Sequence, residues 1–251
     1  MANNEGGVCL VVGAGAGVGG AIAKAFAADG LTVCMTRRER NLAELETLAQ
    51  EIRDSGGAAH AFGADARNED EMIALFDRIE AEIGPLEVVV FNIGANVQFG
   101  VRETTARVFQ KVWEMAAFAG FLAGREAARV MLPRGRGTIL FTGASSSVRG
   151  EKNLTAFTSA KHALRAVAAS MARELGPQGL HIAHVVVDGV IDGAFIRGRR
   201  DDVDTLLAED RVIKPEELAA NYVWLHRQPR SAWAFEVDIR PLAQRWWAIG
   251  F

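Results

Sequence analysis

Six short apolar runs, separated by longer stretches of helical periodicity, restrict the possible folds of this chain more than any other feature. They are "VCLVVG" (Val8–Gly13), "LTVCMT" (Leu31–Thr36), "AAHAF" (Ala58–Phe62), "EVVVFN" (Glu87–Asn92), "GTILFTG" (Gly137–Gly143) and "HIAHVVV" (His181–Val187). None alternates strictly between apolar and polar residues, so each reads as a strand covered on both faces. Between them, Leu42, Leu45, Leu48 and Ile52 form one helical stripe, and Met72, Leu75, Ile79 and Ile83 form another. The stops "DSGG", "EIGP" and "ELGPQG" end helices. Strand alternating with helix implies crossover units and an α/β fold: a doubly wound parallel β-sheet flanked by helices. A helix from Pro215 to about Arg227 and a strand from Phe235 to Ile239 complete it. No linker, repeat or low-complexity segment interrupts the 251 residues, so a single domain is expected.

Charge and cysteine usage narrow the function classes. The net charge is −3 with both signs dispersed, which argues against a nucleic-acid groove or a polybasic membrane anchor. The two cysteines, Cys9 and Cys34, lie inside apolar runs and read as buried, reduced thiols of a cytoplasmic protein. "MANNEGG" lacks the basic flank and apolar core of a signal peptide, and no apolar run reaches bilayer length. His60, His162, His181, His184 and His226 have no metal-ligand spacing.

The first strand runs into "GAGAGVGGAIAKAFA". Gly13, Gly17 and Gly19 stand at a strand-to-helix turn. Glycine there permits a tight turn and lets backbone N–H groups approach a pyrophosphate at a helix N-terminus. At the end of the second strand, "TRRER" puts Thr36 where an acidic residue would hold a ribose 2′-hydroxyl, followed by Arg37 and Arg38. Arginine's planar fork suits a 2′-phosphate, so NADP(H) is the expected cofactor.

These features, with Asp65-Ala66, "FNIGA", "TGASSS" and "FTSAK" in order along the chain, resemble the short-chain dehydrogenase/reductase family over essentially its whole length. The resemblance implies a Rossmann-type fold and an oxidoreductase acting on a small-molecule substrate. It implies that Val18 joins the glycine turn, that Asp65 and Ala66 contact adenine, and that Asn92, Ile93 and Gly94 line the cofactor. Lys161 would hold the nicotinamide ribose, and "VVVDGVIDG" would pack Gly189 and Ile191 on the nicotinamide, with Asp188-Gly189 in place of the usual Pro-Gly. The segment from Asp188 to Glu217 would be the substrate loop. The family habit implies a homodimer or homotetramer, in which Trp246, Trp247 and Phe251 would be buried.

Four positions depart from that pattern. Phe157 stands where the family has its proton-handling tyrosine, Ala144 where it has a serine, and Ala116 where an asparagine joins a proton relay. Gly193 stands about where a threonine holds the carboxamide. Three outcomes remain open. One of Ser145, Ser146 and Ser147 polarises a carbonyl, or Lys161 delivers a proton through water. Alternatively, the substrate is an imine or activated C=C bond that needs no tyrosine acid. Lastly, catalysis is lost and the protein is an NADP(H)-binding pseudoenzyme acting in sensing or assembly. Asn96, Gln98, Arg149 and Asn153 are further pocket candidates. Arg197, Arg199 and Arg200 read either as recognising an anionic substrate or as solvated partners of Asp201, Asp202 and Asp204.

Overall fold

The computed structural model describes residues 6–243, with Phe195 described through its backbone alone. The expected burial of Trp246, Trp247 and Phe251 lies outside the described residues. In chain order the main elements are β1 (Val8–Val12), α1 (Val18–Ala28), β2 (Thr32–Arg37), α2 (Leu42–Asp54), β3 (Ala59–Gly63), α3 (Glu69–Glu82) and β4 (Leu86–Phe91). Then follow α4 (Ala106–Trp113), α5 (Ala119–Met131), β5 (Gly137–Thr142), α6 (Thr155–Leu175) and β6 (Leu180–Val187). The last part holds β7 (Val190–Ile191), α7 (Ala194–Arg197), α8 (Val203–Ala208), β8 (Val212–Ile213), α9 (Pro215–His226) and β9 (Glu236–Ile239).

Seven strands form one parallel sheet in the order β3-β2-β1-β4-β5-β6-β9. The continuous apolar runs are explained by burial on both faces, because β1 and β6 are buried at every residue. On one face α3, α5 and α6 supply Phe76, Leu122 and Leu164 to the core. On the other, α1, α2 and α9 supply Phe26, Leu45 and Tyr222. The two helical stripes face the sheet as their period requires, with Leu42 and Ile83 at the ends only partly buried. Chain order reverses between β1 and β4, so the loops leaving these strands diverge and open a crevice at their carboxyl ends. The pair β7–β8 stands apart from the main sheet, beyond the end of β6.

Candidate active site and cofactor cleft

The crevice at the switch point holds a cavity of about 500 Å³. Its lining brings together Gly13, Gly17, Val18, Gly19, Arg37, Arg38, Asp65, Ala66, Asn92, Ile93 and Gly94. The three glycines answer different demands. Gly13 sits at φ +91°, in the left-handed region that disfavours a side chain. A Cβ on Gly19 would come within 2.6 Å of the Gly13 carbonyl oxygen and 2.9 Å of Asn92 Nδ2, which itself donates to that oxygen at 3.2 Å. A Cβ on Gly17 would meet nothing within 4 Å, so protein packing does not account for this glycine. Gly17 precedes α1, whose N-terminus has no side-chain cap. Open space before a helix N-terminus with uncapped N–H groups fits the pyrophosphate of a dinucleotide.

At the β2 end of the cleft Thr36 is buried and its hydroxyl makes no hydrogen bond among the described residues. The two arginines differ. Arg37 donates to Glu44 at 2.9 Å and lies over Gly15, whereas Arg38 has no hydrogen-bond partner among the described residues. Asp65 is gripped by Arg67 through Nε at 2.9 Å and Nη2 at 2.5 Å, which lowers its pKa from the usual carboxylate value. Its carboxylate thus already has a cationic partner at the wall where adenine was expected. Asn41, Arg67 and Met115 also line this cleft, and no local sequence pattern marks them.

A second cavity of about 420 Å³ adjoins it past Asn92–Gly94. Ser145, Ser146, Phe157, Lys161, Gly189 and Ile191 converge there, with Asn96 and Gln98 on the rim. Lys161 is buried on α6 and donates from Nζ to the carbonyl oxygens of Thr142 (2.8 Å) and Ile93 (3.3 Å). Burial pushes its pKa down to about 8. Phe157, one turn earlier, packs with Val112, Ala116, Leu154, Ala156 and Ala160, and Ala144 packs against that group. Three departures read from the sequence are therefore one apolar cluster. Ala116 lies in a π-helical turn, Glu114–Phe118, between α4 and α5.

The three serines separate in the structure. Ser147 is fully buried and its hydroxyl accepts from the Ala144 N–H at 3.1 Å, and it does not line the cavity. Ser145 is partly buried and lines both this cavity and a neighbouring one. Ser146 is 1% exposed, and its hydroxyl lacks a hydrogen-bond partner among the described residues. A buried hydroxyl left without a partner is costly, so Ser146 is the serine best placed for a ligand acceptor.

Arg149 and Asp188 form a buried-side fork, with Nη1–Oδ2 at 2.7 Å and Nη2–Oδ1 at 2.8 Å, and Arg240 stands 3.6 Å from the same carboxylate. Arg149 is thus taken up in holding the chain that leaves β6. Asn153 sits at φ +63° and accepts the Phe99 N–H through its backbone, outside the cavity lining. In the expected substrate loop, Arg197 bonds Asp192 and Asp204, and Arg200 bonds Asp202. Those exposed arginines neutralise neighbours in their own segment. Gly193 has an ordinary extended backbone, and a Cβ there would meet nothing. Among the described residues no group of three His, Cys, Asp or Glu converges as a metal site, and no helix is long and apolar enough to cross a membrane.

Known proteins share this arrangement. A short-chain dehydrogenase from Rhodopseudomonas palustris has 47% identity and a TM-score of 0.78, covering 93% of this chain and 98% of its own. The cyclic-di-GMP-binding biofilm dispersal mediator protein of Escherichia coli (strain K12) is 31% identical over 86% of this chain and 87% of its own length. The cis-4-hydroxycyclohexanecarboxylate dehydrogenase of Sinomonas cyclohexanicum is 29% identical, covering 87% and 88%. The family model for short chain dehydrogenases matches residues 7–203, which contain both the glycine turn and the Lys161 helix. With its parallel sheet and switch-point cleft, the chain belongs to the short-chain dehydrogenase family of oxidoreductases.

Proposed function

We propose that this protein is an NADP(H)-dependent reductase that transfers hydride to a small carbonyl, imine or activated C=C substrate without a tyrosine acid. The observation that carries the proposal is an asymmetry. The cleft gathers the glycine turn, Arg38 and Asn92–Gly94 around a cavity suited to a dinucleotide, while Phe157, Ala116 and Ala144, at the positions of the family's proton-handling groups, form one apolar cluster. The choice of NADP(H) over NAD(H) rests on Thr36 at the end of β2 and on Arg38, whose guanidinium has no hydrogen-bond partner among the described residues. When bound, the reduced nicotinamide supplies the hydride.

The chain's own residues then have separable tasks. The α1 N-terminus and Gly17 receive the pyrophosphate, and Arg38 the 2′-phosphate. Lys161, whose Nζ donates to the carbonyl oxygens of Thr142 and Ile93 at the cavity wall, anchors the ribose. Ser146 offers a hydrogen bond to substrate, and Phe157 excludes water. A missing general acid removes about 10²–10⁴ in rate from ketone reduction, which is why substrates with lower proton demand suit the site better. The segment from Asp188 to Glu217 covers the cavity as the substrate loop, and exposed Phe109, Trp113 and Phe121 on α4 and α5 support a homodimer or homotetramer. Buried Cys9 and Cys34 are consistent with a cytoplasmic setting.

A second reading is supported by the same apolar cluster: an NADP(H)-binding protein without turnover. The Escherichia coli relative is named for binding a ligand rather than for a reaction. Calorimetry with NADPH and NADH, followed by a panel of ketones, cyclic imines and enones monitored at the nicotinamide absorbance, separates the two. NADPH binding with consumption supports the reductase; binding without consumption across the panel supports the second reading. Failure to bind NADPH would sink both.

A further inference from the structure

Glu151 stands on the rim shared by the Phe157 cavity and an outer cavity of about 900 Å³. The cations around these cavities already have partners. Arg149 gives both terminal nitrogens to Asp188, Arg211 pairs with Glu209 at 3.1 Å, and Lys161 donates to two backbone carbonyls. Glu151 is less well matched. Its Oε1 is buried 3.4 Å from Arg149 Nε, without hydrogen-bond geometry, and makes no other hydrogen bond among the described residues. The side chain is nevertheless 31% exposed. Glu151 lines both cavities, so its exposed surface is open to an occupant of either.

Phe157 and Leu154 line the same cavity, and the Lys161 ammonium stands 5.8 Å from the centre of the Phe157 ring. A carboxylate and an aromatic face both attract a cation. Neither helps a neutral ketone, since an ionised carboxylate only accepts hydrogen bonds and a phenyl ring donates none. We propose that the substrate is cationic at the reacting double bond, an iminium, and that Glu151 holds its charge while Phe157 shapes its apolar body. This rests on the NADP(H) reductase reading above and names its substrate class.

The chemistry balances without the missing tyrosine. Hydride adds to the iminium carbon, a C–H bond forms, and the C=N π pair becomes the nitrogen lone pair. The substrate is reduced to a neutral amine and NADPH is oxidised to NADP⁺. No proton is needed in that step.

The test uses the full-length protein loaded with NADP⁺, so that no turnover occurs. N-methyl-3,4-dihydroisoquinolinium, a permanent iminium, is titrated by calorimetry against 1-tetralone, a neutral ketone of similar shape. The expected result is at least tenfold tighter binding of the cation, lost in Glu151→Gln and kept in Glu151→Asp, with NADPH affinity unchanged in both. Equal affinity for the two compounds in the native protein overturns the proposal, as does a preference that survives in Glu151→Gln. The reductase reading fails by a different result: absence of NADPH binding, or of hydride transfer to any compound.

Discussion

The Lys161 ammonium lies 5.8 Å from the centre of the Phe157 ring, one helical turn away along α6. A hydroxyl on that ring would stand beside a buried cation, which favours the ionised form of a phenol and so makes it a better acid near neutral pH. Phe157→Tyr should therefore raise 1-tetralone reduction by up to about 10²-fold while leaving iminium reduction unchanged or lower. Steady-state kcat for both substrates checks this. No gain with the ketone would mean that Ala116 and Ala144 have removed the proton path as well as the donor.

The two arginines after Thr36 should not contribute equally to cofactor choice. Arg37 is already held by Glu44, whereas Arg38 has no hydrogen-bond partner among the described residues. Arg38→Ala should weaken NADPH at least about tenfold, the loss of one charge-assisted contact, with NADH unchanged. Arg37→Ala should cost less. Calorimetric titration of both cofactors measures it, and equal losses for NADPH and NADH would count against a 2′-phosphate contact.

The fold was legible because its signals are local. Continuous apolar runs and helix stops place every main strand and α9 to within one residue of the observed ends. The glycine turn was legible for the same reason: left-handed φ at Gly13 and close approach at Gly19 are demands of the backbone itself. The site was less so. Asp188 was visible as a departure from Pro-Gly, but its partner Arg149 lies 39 residues earlier, and only the folded loops bring the fork together. No local pattern marks Glu151, since what distinguishes it is the prior engagement of its neighbours. The choice among Ser145, Ser146 and Ser147 likewise depends on which hydroxyl the turn directs inward. Arg197, Arg199 and Arg200 left two readings open, and Arg197 and Arg200 are seen paired with Asp192, Asp204 and Asp202 of their own segment.

The Asp188 fork should be a stability element of the chain leaving β6. Asp188 is 3% exposed, and replacing it leaves Arg149 without its bidentate partner near a buried position. Breaking a fully buried pair costs about 3–5 kcal/mol; Arg149 keeps 35% of its side chain exposed, so a discounted loss of about 2 kcal/mol is expected for Asp188→Ala. Urea unfolding of the two proteins gives the difference. A loss below about 0.5 kcal/mol would show that solvent replaces the fork at little cost.

Acid should destabilise the protein through His184. Its ring is fully buried on β6, and Nδ1 faces Glu236 of β9 at 3.0 Å. Arg165 and Lys161 of α6 act on it from the other side, and its Nε2 lies close against Gly143, near Ser147. Burial lowers its pKa to about 4 despite Glu236, from an ordinary value of 6.5. Between those values the unfolded chain binds more protons than the native one, so stability rises with pH across the window and is lost on acidification through it. The full effect is on the order of 3 kcal/mol. Glu236 keeps its two hydrogen bonds from Arg165 in a variant, and His181 and His226, also lowered by burial, leave a residual slope. Urea unfolding at pH 7.5, 6.0 and 4.5 should show native protein losing more stability on acidification than His184→Asn, so that the gap between them narrows. A gap that stays constant would mean that His184 carries the same charge in both states over this range.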